Sequence, residues 1–331
     1  MTPEAPTAAR GIRSNAFGIE LVSETELIGL PASLGPPAGP ATRIEVDESN
    51  PLGGDLSAEG EEVRFVYDLE GRKALSIRFS ENCGYLLTLP SIGSYRVQPD
   101  GLAVTCIPEQ RAPAWKWQRA LVNQVLPLTA TLRGFEVLHA GAVAIEGHAV
   151  ALVGHPGAGK SSTTLNLLLG GAGFFTDDAL ALKRVDGQLM GYPGAAVSNF
   201  PRTERELMEP GAPERLGVTI ADEKGYKSLL AIEREPAPLP LGAVYFLRRG
   251  RDVARATFEP LEDPDPTMLL GSSYVLSVRS PVRLANQLDV CAAIANQTPV
   301  FDLLIPNTVT ARESARALMA HVTSLLAQER S

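Results

Sequence analysis

The stretch ALVGHPGAGKSSTTLNLLLGGAGFFTDDALAL, from Ala151 to Leu182, gathers the residues of this chain best suited to chemistry. Gly154, Gly159, Lys160 and Ser161 match the phosphate-loop (Walker A) pattern G-x-x-x-x-G-K-[ST]. Glycines in such a loop let the N–H groups of Gly157, Ala158, Gly159, Lys160 and Ser161 turn inward on phosphate oxygens, with Ser162 just behind them. The loop sits at a helix start whose partial positive charge favours anions. Lys160 is then placed to reach the outer phosphates of a nucleotide, and Ser161 a magnesium ion. ATP and magnesium are the expected ligands. A lysine merely solvated in a glycine-rich turn is the plainer reading. Against it stand the full match and the flanking elements: the apolar run Ala149 to Val153 reads as a buried strand, and Ser161 to Leu169 as a helix stopped by Gly170 and Gly171.

Asp177 and Asp178 follow closely. In most phosphate-loop ATPases and GTPases the aspartate that organises magnesium lies much further along the chain, beyond other strands and helices. Here a helix, three glycines and a short strand at Phe174 to Thr176 suffice to bring the chain back to the phosphates. Two carboxylates would then face the metal and the γ-phosphate, one suited to hold magnesium and the other to accept a proton from an attacking hydroxyl. An acidic turn after a strand is the alternative for TDD taken alone. Upstream, LHAGAVAIEGHAVALVG puts His139 on a run that can form the neighbouring strand, turning at Glu146-Gly147. A histidine there could approach the transferred phosphate or could be an ordinary strand-end residue. Lys227, in EKGYKSLL, and Arg248-Arg249, in YFLRRGRD, are further cations that folding could direct towards phosphate; each reads more simply as a surface charge.

These residues need a scaffold, and the chain is long enough to supply one. It has 331 residues, 44% hydrophobic and 21% charged, a length that suggests two domains. The formal charge of −8 argues against a nucleic-acid partner. No segment approaches ~18 uninterrupted apolar residues, and Met1 to Arg13 has no long apolar core, so neither membrane insertion nor export is expected and the chain reads as cytoplasmic. A homo-oligomer stays open. Cys83, Cys106 and Cys291 form no C-x-x-C pair and read as reduced, mostly buried thiols.

Residues 1–112 read as a β-rich N-terminal domain. Val63, Phe65 and Tyr67 alternate with polar residues, as do Leu75, Ile77 and Phe79 beyond a turn at Glu70-Gly71, and a second hairpin turns at Pro99-Asp100-Gly101. GLPASLGPPAGPA, from Gly29 to Ala41, reads as an exposed loop. Residues 113–331 form the second domain, starting with a helix from Ala114 to Leu126 that Pro127 breaks or kinks. Trp115 and Trp117 on it read as packing residues. The rest is expected to alternate strand and helix, a sheet with helices on its faces. Ser280-Pro281 reads as a helix start, and TARE at Thr310 to Glu313 as a capping box opening an amphipathic helix with Leu318, Met319, Val322, Leu325 and Leu326 on one side.

The order LHAGAV, GHPGAGKSS, FFTDD resembles HPr kinase/phosphorylase. More closely it resembles the shorter HPr-kinase-related proteins of bacterial gene clusters, among them kinases of ribosomally made peptides such as lasso-peptide precursors. The resemblance spans His139 to Leu182 and extends weakly to NQVLP before it and to GYPG, from Gly191 to Gly194, after it. It implies an α/β fold: a phosphate-loop catalytic domain of the HPr-kinase kind, related to the nucleotide site of phosphoenolpyruvate carboxykinase, behind a β-rich N-terminal domain. It implies Lys160 as the phosphate-binding lysine, Asp177 as base, Ser161 and Asp178 as magnesium ligands, and His139 as support for the transferred phosphate. Two departures stand out. Ser162 replaces the glutamate usual after the loop serine, and the family's glycine-rich segment after the aspartates is missing, so HPr itself and reverse phosphorolysis are not carried over. The expected function is an ATP- and magnesium-dependent kinase for a serine hydroxyl of a peptide or small protein. A small-molecule hydroxyl kinase and a non-catalytic nucleotide sensor are the alternatives.

Overall fold

The computed structural model describes residues 11–33, 39–49, 61–69, 71–223, 227–250 and 253–329. The reading of the N-terminal segment at residues 1–10, Glu70 of the first hairpin turn and the middle of the proline- and glycine-rich stretch lie outside the described residues. The chain is mixed α/β, with three sheets among the described residues.

The first sheet has eight strands in the spatial order Ile12–Ala16, Ile19–Ser23, Thr42–Val46, Ala103–Pro108, Gly93–Val97, Gly84–Leu89, Arg72–Ser80, Glu62–Leu69. Only Thr42–Val46 runs parallel to its neighbours. Alternation buries Leu21, Leu87, Tyr95, Val97 and Val104 on one face. The expected strand at Val63 to Tyr67 forms, but it is the sheet edge. Val63 is 58% and Tyr67 51% exposed, and among the described residues no further strand pairs beyond it. The beginning of the stretch read as an exposed loop is instead packed: Leu30 is buried, and Ala196 donates its N–H to the Gly29 carbonyl at 2.7 Å.

The linking helix also departs from expectation. It runs Ala114–Ala120, opens into a π turn at Leu121–Val125 and continues as Leu126–Leu132, straight through Pro127. In the π turn the Leu126 N–H reaches back to the Leu121 carbonyl. Pro127 therefore enters in the first turn of the next α segment, where its missing N–H is not needed. Tyr95, 1% exposed, ties the sheet to this helix by donating its hydroxyl to the Trp117 carbonyl at 2.7 Å. Since that carbonyl also accepts from the Leu121 N–H, Tyr95→Phe should cost only the net worth of one hydrogen bond, about 1 kcal/mol, read as a lowered denaturant midpoint at unchanged slope.

The second sheet has nine strands. Its main path is Gly173–Thr176, Ala140–Ile145, His148–Val153, Leu239–Gly250, Gln188–Tyr192, Leu180–Val185, Glu136–Leu138, with Val300–Pro306 and then Thr257–Pro260 branching off Leu239–Gly250. Helices do cover both faces. Val150 and Leu152 pack with Leu167, Leu318 and Val322, from helices Lys160–Leu169 and Ala311–Glu329. Ala149, Ala151 and Val153 pack with Val290 and Ile294, from helix Pro281–Gln297. The expected regular alternation of strand and helix does not hold: from Gly173 to Pro260 the chain is mostly strands, interrupted by two short helices, Arg202–Leu207 and Ala212–Leu216. Short apolar runs fit a buried strand and a helix equally, and here tertiary pairing decides for strands. The third sheet is Val197–Pro201, Lys227–Ala231, Val218–Glu223. Ser280 caps its helix, and Thr310 and Glu313 exchange the bonds of a capping box. Among the described residues no helix is long and apolar enough to cross a membrane.

Candidate active site

Strand His148–Val153 delivers the chain to the loop at the end of a parallel pairing with Leu239–Gly250, and helix Lys160–Leu169 leaves from it. Gly159, the residue before the helix, has φ 100°, a conformation that suits glycine. A Cβ there would also stand 3.0 Å from the Arg249 guanidinium, so Arg249 lies directly over the loop. Its neighbour Arg248 is instead paired with Asp302. Both arginines are exposed, as expected of surface charges, but Arg249 is a surface charge placed at the anion site.

Lys160 is only 7% exposed. Its Nζ donates to the Gly154 carbonyl at 2.7 Å and lies 3.3 Å from His139 Nε2. Burial lowers the pKa of Lys160, against the pull of Asp178 and Asp177. Burial, then the Lys160 charge, lowers that of His139, favouring its neutral ring. His139 occupies the bend where the chain leaves Glu136–Leu138, at one end of the sheet path, for Ala140–Ile145 near the other. Its Nδ1 meets the Asp178 carbonyl at 3.1 Å, which makes Nδ1 the donor and leaves Nε2 as acceptor towards Lys160. The ring stacks on Tyr274 with centroids 5.5 Å apart.

The short strand Gly173–Thr176 brings both aspartates to the loop. Ser161 Oγ donates to Asp177 Oδ1 at 3.3 Å, while Ser198 Oγ and the Asn199 N–H donate to Oδ2 at 2.8 and 3.1 Å. Burial, then the neighbouring Asp178 charge, pushes the Asp177 carboxyl up to about 7, against those three hydrogen bonds. Asp178 has φ 64°, a left-handed conformation that aspartate tolerates better than most side chains. The reversal sends the Asp178 carbonyl to His139, and Asp178 also lines a cavity of about 210 Å³. Gly194, in GYPG, passes so close that a Cβ would stand 2.1 Å from Thr176 Oγ1.

The site therefore joins Lys160, Ser161, Asp177, Asp178 and His139, with Gly154, Gly157, Ala158, Gly159 and Ser162 forming the loop and its exit. Lys227 is not at the loop. It lines the cavity beside Asp178 and Asn199, whose walls include no residue from Gly154 to Ser162. A larger cavity of about 790 Å³, between helices Lys160–Leu169 and Ala311–Glu329, has Arg249 in its wall but neither aspartate. Ser198, Asn199 and Tyr274 went unnoticed in the sequence. A polar Ser-Asn pair inside the apolar run from Ala195 to Phe200 was the one available signal for the first two.

Among the described residues no group of three or more His, Cys, Asp or Glu is arranged to hold a metal ion. Ser161 with a carboxylate fits magnesium nonetheless, since this ion commonly takes one or two protein oxygens and completes its shell with phosphate and water.

No protein-family model matches the chain, and no curated protein matches it. Among solved structures, the HPr(Ser) kinase/phosphatase from Coxiella burnetii aligns at 15% identity over 59% of this chain and 90% of that one, with a TM-score of 0.28. A score of that size does not establish a shared fold, and the chemistry of the site rests on its own side chains.

Proposed function

We propose that the protein is an ATP- and magnesium-dependent kinase that transfers the γ-phosphate to a serine hydroxyl of a peptide or small protein. The observation that carries this reading is the convergence of the loop lysine, the loop serine and Asp177 in one cluster, with Ser161 hydrogen-bonded to Asp177. The loop N–H groups and Lys160 would hold the phosphates, and Ser161 with Asp178 the magnesium, whose charge offsets that developing on the phosphates. Asp177, oriented by Ser198 and Asn199, is the base. The acceptor oxygen bonds to the γ-phosphorus as the β–γ bridge breaks to leave ADP, and the hydroxyl proton passes to Asp177. His139 fixes Lys160 and, as a neutral ring, adds no competing charge.

Incubation with γ-labelled ATP, magnesium and serine peptides should move label to the serine oxygen. ATP binding without transfer to any hydroxyl would make the chain a nucleotide sensor instead. A small-molecule hydroxyl kinase remains the second reading, favoured by the modest volume of the cavity at Asp178. Arg249, over Gly159, should serve the nucleotide: Arg249→Gln is expected to raise KM for ATP about tenfold, the worth of one charge-assisted hydrogen bond, with kcat little changed.

A further inference from the structure

The cavity beside Asp178 is a meeting of three parts of the chain. Leu89 of the N-terminal sheet, Lys116 and Arg119 of the linking helix, and Glu223 and Lys227 of the small third sheet all line it. Three cations thus line a walled space that Asp178 also lines. Glu223 is shared between two of them, Lys116 at 3.4 Å and Arg119 at 3.5 Å. A guanidinium offers five N–H donors and an ammonium three, so one shared carboxylate leaves donors over. The Trp115 ring lies beneath both cations, 5.6 Å from Lys116 Nζ and 5.7 Å from the Arg119 guanidinium, holding them in place. Asn199, also in its wall, has a buried Oδ1 with no hydrogen-bond partner among the described residues, an acceptor open to a donor.

We infer that the phosphoryl acceptor carries an anionic group, carboxylate in kind, and that Lys116, Arg119 and Lys227 hold it in this cavity while its hydroxyl meets the carboxylates. The inference rests on the phosphoryl-transfer reading and narrows it to acidic hydroxyl compounds. Charge balance supports it: three cations line the cavity against two carboxylates, Glu223 and Asp178. The acceptor's own N–H would satisfy Asn199 Oδ1. The same chemistry occurs in a small hydroxy acid and in a serine peptide with a carboxylate close to the serine.

The test uses the full chain saturated with magnesium and a non-hydrolysable ATP analogue, titrated calorimetrically with N-acetylserine and with its carboxamide. The two probes share a hydroxyl and differ in charge. The acid should bind about tenfold tighter, the discrimination that one charge-assisted contact supplies. In Lys116→Gln/Arg119→Gln the preference should vanish while affinity for the ATP analogue stays. Both side chains are part-exposed, and Lys116→Gln alone, expected to shrink the preference, serves if the double variant misfolds. Equal binding of acid and amide to the parent protein, a preference that survives the substitutions, or a matching loss of ATP affinity would each overturn the assignment. Repeating the comparison with longer serine peptides, as acids and amides, separates the two sources. Transfer from ATP without charge preference sinks this inference and leaves the kinase; charge preference without transfer to any acceptor removes the kinase and leaves only an acid-binding cavity.

Discussion

Asp177→Asn is expected to lower phosphoryl transfer by about 10²–10⁴-fold, the range a positioned general base contributes, and to leave ATP affinity at the parent value. The substitution keeps the side chain's volume and leaves an amide oxygen that can still accept from Ser198 and the Asn199 N–H, so local order survives. What disappears is the ability to take the acceptor's proton. The magnesium concentration for half-maximal rate stays unchanged in this variant and rises in Asp178→Asn. The opposite pattern, an Asp177→Asn rate recovered by excess magnesium, would exchange the two roles. The contact between Ser161 and Asp177 gives that exchange a concrete geometry, and transfer near the parent rate in both variants would remove the kinase reading altogether.

Lys160→Ala is expected to reduce transfer by about 10²–10³-fold, the cost of removing one preorganised charge from a site where charge develops. KM for ATP should rise as well, because on the proposed reading the lysine contacts phosphates in the ground state too. Thermal stability should not fall. In the free protein Lys160 is a buried cation whose pKa is lowered by its surroundings, so its ammonium is a burden on the fold. Calorimetric scans and steady-state rates on the same preparation check both statements. A variant with unchanged turnover would exclude the loop from the chemistry.

The parts of this site legible in sequence are those fixed by local spacing. The loop, its helix and the return to the aspartates all lie within one short stretch, and the Thr310 capping box is a four-residue signal. The hairpin strands Glu62–Leu69 and Arg72–Ser80 were legible for the same reason, through alternation. Strand order was not: nothing local says that Leu239–Gly250 will insert beside the loop strand and carry Arg249 over Gly159. Nor does spacing reveal that Tyr274 stacks on His139, or that Ser198 and Asn199 orient Asp177. Those contacts depend on long-range pairing, where periodicity carries no information about which element meets which. The passage through Pro127 escaped for a different reason. A proline reads as a helix stop unless the preceding turn widens, and the widening has no side-chain signature.

That widened turn has a consequence for how the two halves are kept in phase. Asn123 and Gln124 sit within it, and both bond to the Tyr274 hydroxyl, which accepts from the Gln124 amide at 2.9 Å and donates to the Asn123 carbonyl at 2.8 Å. Upstream lie Trp115, Lys116 and Arg119; downstream, Leu126 to Leu132 leads into the His139 strand. An α-helix advances by about 100° per residue, so the extra residue held in the turn sets the angular offset between these two faces. The alignment of the cationic wall with the aspartates is thus counted in chain length rather than in side-chain identity. Evolution could exchange many side chains in this linker, but an insertion or deletion of one residue would point the cations elsewhere.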